Sequence, residues 1–166
     1  MSVDIEHGVE LEEKEKDQEL IQLVTFSIGE EEFGVNILQV QEIIRTMDIT
    51  RVPRAPEFVE GVINLRGKVI PIVDMRSRFG LAHKEHDKYT RIIVIEIDMI
   101  IVGFVVDSVS EVLRIPANSV QPPPPVVAGM DSDYIDGVGK LEDRLLILLD
   151  LDSLLDNEEK EALTAV

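Results

Sequence analysis

Two aspartates stand at corresponding points in two similar stretches of this sequence, where they could form a catalytic pair. Asp74 and Asp150 each follow an apolar run and precede a segment that could begin a helix. Two carboxylates held close together share one proton and can act as acid and base in hydrolysis. Aspartic proteases of that design place Thr or Ser and then Gly after each aspartate, whereas Met75 and Leu151 follow here. We therefore predict that both aspartates cap short helices, a position that Asp favours.

The positions of the histidines and the absence of cysteine limit which metal sites and nucleophiles the chain could form. His7 lies in an acidic N-terminal segment, and His83 and His86 lie in a polar stretch between the two similar halves. The latter two could share a metal only in a helix and with a further ligand, so we predict that they lie in a solvated loop. Without cysteine there is no thiolate, disulfide or cysteine-based zinc site. We expect no metal, no other cofactor and no enzymatic activity.

Charge and hydropathy exclude further classes of function. The formal net charge of -17 at pH 7 opposes binding to nucleic acids and to anionic lipids. No apolar run approaches the roughly 18–20 residues that a membrane-spanning helix needs. The N-terminus also lacks the basic and apolar regions of a signal peptide. These features predict a soluble, cytoplasmic protein.

The first 19 residues form an acidic segment. They include eight Asp or Glu residues, two Lys residues and few apolar side chains. Such a composition is typical of a disordered, solubilising tail.

Deleting residues 1–17 should leave the thermal stability almost unchanged, because so little apolar surface gives this segment nothing to bury. The melting temperatures of the truncated and full chains should agree within about 4 °C, a difference equivalent to 1 kcal/mol or more at this size. A larger decrease would show that the segment packs against the folded domain.

The chain contains an internal repeat. Residues 22–45 align without a gap on residues 91–114, and residues 58–79 align without a gap on residues 134–155. The second half is longer around the proline run at residues 122–125. A period of this length, present twice, indicates two copies of one small β unit rather than a solenoid.

Each half predicts five strands in hairpins and one short helix, which is typical of a small closed barrel. Two runs, residues 92–95 and 145–149, are almost wholly apolar, as expected for strands that are buried on both faces. We therefore predict an all-β fold with short helices, in which two five-stranded barrels pack side by side through an apolar seam. The predicted barrels cover about residues 20–80 and 89–155, within one domain at 20–157, and a C-terminal helix or tail covers 158–166.

A hairpin tip offers a candidate binding group. Arg66 and Gly67 form a predicted two-residue turn beside Asn64, and Gly67 can adopt the positive φ that such a turn needs. The side chain of Arg66 would then project from a stiff base toward a carboxylate or a carbonyl of a partner. A turn residue chosen for solubility is the alternative interpretation.

Four long motifs resemble CheW-type chemotaxis coupling proteins. They occupy residues 33–43, 61–74, 105–113 and 137–144, and the resemblance extends over about residues 19–163. It implies two SH3-like barrels and a scaffold without enzymatic activity. Proteins of this family join the cytoplasmic tips of chemoreceptors, the methyl-accepting chemotaxis proteins, to the histidine kinase CheA. The kinase's regulatory domain has the same fold, and the two proteins alternate in rings.

The resemblance also implies two binding surfaces. The outer surface of the first barrel should meet the kinase through Val40, Glu42, Ile43 and Ile49. The groove between the barrels should take the receptor's helical hairpin through Gly61, Asn64, Arg66, Val109 and Val112. We expect the protein to be cytoplasmic and recruited to membrane-bound receptor arrays, without insertion into the membrane.

Three alternatives are considered, and the second of them is set aside. The chain could be a CheW-like scaffold of a non-chemotactic pathway that uses a CheA-like kinase. A CheV-type adaptor would need an attached receiver domain, for which we expect no residues to remain. The alternative from another class is a two-fold hydrolase that uses Asp74 and Asp150.

Overall fold

The computed structural model describes residues 19–123 and 134–164. Except for Glu19, the predicted acidic tail lies outside the described residues. So do the end of the proline run, from Pro124 onward, and residues 165–166.

Strands dominate the described part of the chain, with short helical segments between them. The strands are β1 (Leu20–Ile28), β2 (Glu31–Asn36), β3 (Val40–Arg45), β4 (Val59–Leu65), β5 (Lys68–Asp74), β6 (Arg91–Ile97), β7 (Ile100–Val106), β8 (Ser108–Pro116), β9 (Val120–Gln121), β10 (Ile135–Lys140) and β11 (Leu145–Leu149). The α-helices are α1 (Met75–Arg78) and α2 (Asn157–Thr164), and 3-10 turns cover Ile37–Gln39, Ala117–Ser119 and Leu151–Ser153. Among the described residues, no helix is both long and apolar enough to cross a membrane.

The strands form two sheets, and each sheet contains strands from both halves of the chain. One sheet has the order β3-β6-β7-β5-β4, and the other has the order β8-β1-β2-β11-β10-β9. Most neighbours are antiparallel, but β5 pairs with β7 and β2 pairs with β11 in parallel. The predicted division at residues 20–80 and 89–155 is therefore corrected, because the first hairpin of each half joins the sheet of the other half.

The short connections explain this exchange. Only Asp107 separates β7 from β8, whereas an antiparallel hairpin ordinarily needs a loop of about two residues. The chain cannot turn back beside β7 and continues into the other sheet. A tight 3-10 turn, Ile37–Gln39, makes the corresponding passage from β2 to β3 in the first half.

Each sheet closes on itself. Thr50, which follows β3, forms an isolated bridge with Val62 on β4 at the opposite edge of the first sheet. In the second sheet β9, which follows β8, pairs with β10. The fold prediction is confirmed: the protein consists of two small barrels. We name the sheet of β3, β4, β5, β6 and β7 barrel one, and the other sheet barrel two.

The buried residues form one large shared core and a smaller core within each barrel. Ile92 and Val94 on β6 lie in the interior cluster of barrel one, whereas Ile93 and Ile95 lie in the cluster that both barrels share. Residues 92–95 are therefore buried on both faces, which confirms the predicted apolar seam. The run at 145–149 is largely buried, but Leu145 at its start is exposed and Ile147 is partly buried.

Candidate interaction surfaces

The outward face of β3 presents one apolar side chain to solvent. Val40 packs against the shared core, and Ile49 packs against the interior cluster of barrel one, so both are partly buried. Ile43 is 37% exposed, and Glu42 is half-buried beside it. Of the residues predicted to meet the kinase, Ile43 is therefore the most accessible apolar group.

The hairpin between β4 and β5 has the predicted two-residue turn. Arg66 and Gly67 both have positive φ values, 53° and 87°, which is typical of a type I′ turn. The amide of Gly67 donates to Asn64 Oδ1 at 2.9 Å. Asn64 therefore stabilises the turn. The side chain of Arg66, which is 70% exposed, projects from a fixed backbone.

An ion pair joins the predicted kinase surface to the predicted receptor surface, which the sequence analysis treats as separate. The guanidinium of Arg66, predicted to bind the receptor, contacts the carboxylate of Glu42, predicted to bind the kinase. The contact links the tip of the β4–β5 hairpin to β3. The two predicted surfaces therefore meet on barrel one.

Barrel two has an equivalent ion pair, which the sequence analysis missed. Glu111 aligns with Glu42 in the repeat, and Arg144 Nη2 donates to Glu111 Oε1 at 3.2 Å. Arg144 Nε also lies 3.4 Å from Glu32 Oε2. The repeat alignment marks Glu111, but Arg144 aligns with Lys68 rather than with Arg66. The repeat could therefore have pointed to Glu111, but not to its partner Arg144.

The other predicted receptor residues are distributed over both barrels. Gly61 is buried, and a Cβ there would lie 2.3 Å from the carbonyl oxygen of Thr50 and 2.7 Å from Ile49 Cγ2. Val109 and Val112 lie on β8 of barrel two, where Val109 packs on the shared core and Val112 is 51% exposed. Only Val112 among these three presents much of its side chain to solvent.

Both repeat-related aspartates cap helical turns, as predicted. Asp74 Oδ1 accepts from the amide of Arg76 at 3.0 Å, and Asp150 Oδ1 accepts from the amide of Asp152 at 3.1 Å. Asp150 also accepts from the hydroxyl of Ser153 at 2.7 Å. These bonds commit the carboxylates to their own local turns, so the geometry gives the two-fold hydrolase no support.

The second linker histidine is not solvated, contrary to prediction. His86 Nε2 lies 2.8 Å from Glu60 Oε1, and its Nδ1 lies 2.9 Å from Thr46 Oγ1. His83 remains 63% exposed, 3.6 Å from Asp74 Oδ2. Among the described residues, no three His, Cys, Asp or Glu side chains are arranged to hold a metal ion.

Burial shifts the titration of an acidic residue in each barrel. Burial raises the pKa of Glu60, although the nearby charge of His86 opposes the increase. Burial likewise raises the pKa of Asp136, and the negative charge of Asp150 raises it further. Glu60 and Asp136 align in the repeat, so the two barrels share a partly buried acid near the capping aspartate.

Comparison with known proteins gives consistent matches over most of the chain. A family model described as the CheW-like domain matches residues 22–159. The chain is 40% identical over 138 residues to the chemotaxis protein CheW of Klebsiella aerogenes, with 83% of each chain covered. It is also 40% identical to the chemotaxis protein CheW of Rhizobium meliloti, covering 85% of this chain and 91% of that protein. The solved structure of the scaffolding protein TtCheW from Thermoanaerobacter tengcongensis matches with a TM-score of 0.76 and 40% identity, covering 83% and 89% of the two chains.

Proposed function

The chain belongs to the CheW-like domain family, and from that membership we propose that it is a chemotaxis adaptor that couples chemoreceptors to the histidine kinase CheA. The observation that carries this proposal is the extent of the family match, from residue 22 to residue 159, which includes both barrels. The relatives are named as chemotaxis proteins, and the matching structure is named as a scaffold. An adaptor needs surfaces rather than catalytic groups, and we propose that the chain is not an enzyme.

We propose that the kinase surface is centred on Ile43, with Val40, Glu42 and Ile49 around it. An exposed apolar side chain on a closed barrel is a rigid contact that loses little conformational entropy on binding. Val40 and Ile49 are partly buried, and we assign them to the margin of this surface. The CheA regulatory domain is the proposed partner at this face.

We propose that the receptor surface uses Arg66 and Val112, with Gly61, Asn64 and Val109 shaping the backbone beneath. A helical hairpin commonly lies in a groove that combines apolar contacts with a few directed polar groups. Arg66 supplies a polar group held by the turn, and Val112 supplies an exposed apolar contact. Each contact can be weak, because linkage in an array raises the effective concentration of the partners.

A reconstitution experiment tests the adaptor function directly. The full chain is mixed with CheA and with a receptor fragment assembled on vesicles, and kinase autophosphorylation is measured. We expect receptor-dependent kinase activity only when all three components are present. The alternative outcome is that no ternary complex forms with CheA, and that a CheA-like kinase of another pathway restores kinase activity instead. That result would favour the non-chemotactic scaffold.

Replacing Arg66 with Ala should weaken receptor binding by roughly ten- to a hundredfold, because a charged hydrogen bond at an interface contributes about 1.5–3 kcal/mol. The melting temperature should barely change, since exposed ion pairs contribute at most about 1 kcal/mol. Isothermal titration against a receptor-tip fragment and against the kinase regulatory domain measures both surfaces.

The matched control is Arg144→Ala, which removes the corresponding ion pair of barrel two. Kinase-domain binding by Arg66→Ala should fall only severalfold, through the loss of the contact to Glu42. Equal losses for receptor and kinase would contradict the division of surfaces, and a large decrease in melting temperature would make Arg66 a structural residue.

A further inference from the structure

We propose that His86 bridges β3 and β4 where barrel one closes, and that protonation of its imidazole tightens this closure. We call the contacts of His86 with Thr46 and Glu60 the clasp. His86 lies in the linker between α1 and β6. One ring nitrogen contacts Thr46, which directly follows β3, and the other contacts Glu60 on β4. The ring therefore connects two strands that lie at opposite edges of the sheet order.

Besides His86, few polar contacts close barrel one between β3 and β4 in the described part of the chain: the ion pair of Arg66 with Glu42 and one backbone bridge. Thr50 and Val62 exchange two backbone bonds, of 2.9 Å and 2.8 Å, in a single isolated bridge. Barrel two closes instead through a short strand, β9, which pairs with β10 at two positions. The repeat supplies no histidine that aligns with His86, so this side-chain bridge is specific to barrel one.

The ring can keep both contacts when it gains a proton. In the neutral state, Nε2–H donates to the carboxylate of Glu60 while Nδ1 accepts from the hydroxyl of Thr46. In the charged state both nitrogens donate, and the Thr46 hydroxyl rotates to accept. The bond to Glu60, already charge-assisted through the carboxylate, then joins two opposite charges, which adds Coulomb attraction. Acidification should therefore tighten the closure of barrel one.

Several charged side chains lie close to His86 and Glu60. Glu60 faces the ring from β4, Asp74 stands at the end of β5, and His83 lies on the same linker. A cavity of about 550 Å³ adjoins Glu60 and is also lined by Arg51 and Glu57. Glu60 Oε2 is buried without a hydrogen-bond partner among the described residues, so its carboxylate depends on the contact to the ring.

Glu60 itself contributes a pH dependence of the same sign. Burial raises the pKa of Glu60, the charge of His86 lowers it, Asp74 raises it and His83 lowers it again. A carboxyl whose pKa is raised by folding adds stability below its ordinary value, and loses it as the pH rises through the folded value. An experiment must therefore separate the protonation of the ring from that of the carboxyl.

The replacement His86→Gln makes this separation. Glutamine can place an amide donor near the position of Nε2, but it cannot gain a proton. His83→Gln is the matched control on the same linker. Backbone hydrogen exchange of the full chain is measured at residues 46–50 and 59–62, at pH 8 and pH 6, after correction for intrinsic exchange. We expect local opening to become roughly three- to tenfold rarer at pH 6 in the unmodified chain and in His83→Gln, but not in His86→Gln.

Three results would overturn the proposal. An unchanged pH response in His86→Gln would assign the effect to Glu60 alone, and loss of the response in His83→Gln would make the other histidine responsible. Glu60→Gln keeps a hydrogen-bond acceptor without the charge. If His86→Gln does not fold, this variant tests whether the contact between His86 and Glu60 causes the pH response. The Glu60→Gln variant should lose most of the pH response of local opening. A pH response as large as that of the unmodified chain would contradict the proposal. The measurement needs no partner and is therefore independent of the adaptor function.

Discussion

Replacing Ile43 with Asp should reduce binding to the CheA regulatory domain by at least about thirtyfold, because loss of a hot-spot contact costs 2 kcal/mol or more. The physical reason is that binding would bury the new carboxylate where an apolar side chain makes the contact. Ile43 is partly solvent-exposed on the outward face of β3, so the variant should fold. Titration calorimetry with the isolated regulatory domain measures the effect.

The matched control is Val112→Asp, which places the same charge at the aligned position of barrel two. We expect it to impair receptor binding and to leave the kinase contact at β3 largely intact. Unchanged kinase affinity in a folded Ile43→Asp chain would remove this face of β3 from the proposed interface.

Replacing Gly61 with Ala should destabilise the protein by about 2–4 kcal/mol, a loss expected when a new atom meets a backbone that must move. The added methyl group would lie 2.3 Å from the carbonyl oxygen of Thr50. That carbonyl accepts the amide of Val62 at the isolated bridge, so relief of the clash would break the closure of barrel one. Thermal unfolding should show a decrease of about 5–12 °C in the melting temperature.

Gly139→Ala is the control on β10 of barrel two. A Cβ there would lie 3.4 Å from Ile115 Cδ1, an ordinary contact, and we expect a much smaller change in melting temperature. Gly137 aligns with Gly61, and its Cβ would lie 2.7 Å from the carbonyl oxygen of Gln121. Gly137→Ala should therefore behave like Gly61→Ala, and comparable stability of all three variants would refute the close-approach argument.

The candidate surfaces were partly predictable from the sequence. The turn at Arg66 follows from a basic residue and a glycine between two apolar segments, whereas alternation along β3 predicts only that about half of its apolar side chains face outward, not that Ile43 is one of them. The contact of Arg66 with Glu42 did not follow, because it joins a hairpin tip to a strand that is distant in the sequence. His86 was missed for the same reason: nothing local in a polar linker indicates that Thr46 and Glu60 lie on either side of its ring.

Sequence patterns were enough to predict the repeat, the positions of most strands, the two-residue turn and the capping roles of Asp74 and Asp150. These features depend on local patterns of apolar residues, glycine and aspartate, which are readable over a few positions. The pairing of the strands is seen only in the folded protein. Each half has a first hairpin of similar apolar pattern, so the pattern alone does not say which barrel that hairpin completes. The choice is made by the reach of the connections, above all the single residue Asp107 between β7 and β8, which sends the chain into the other barrel.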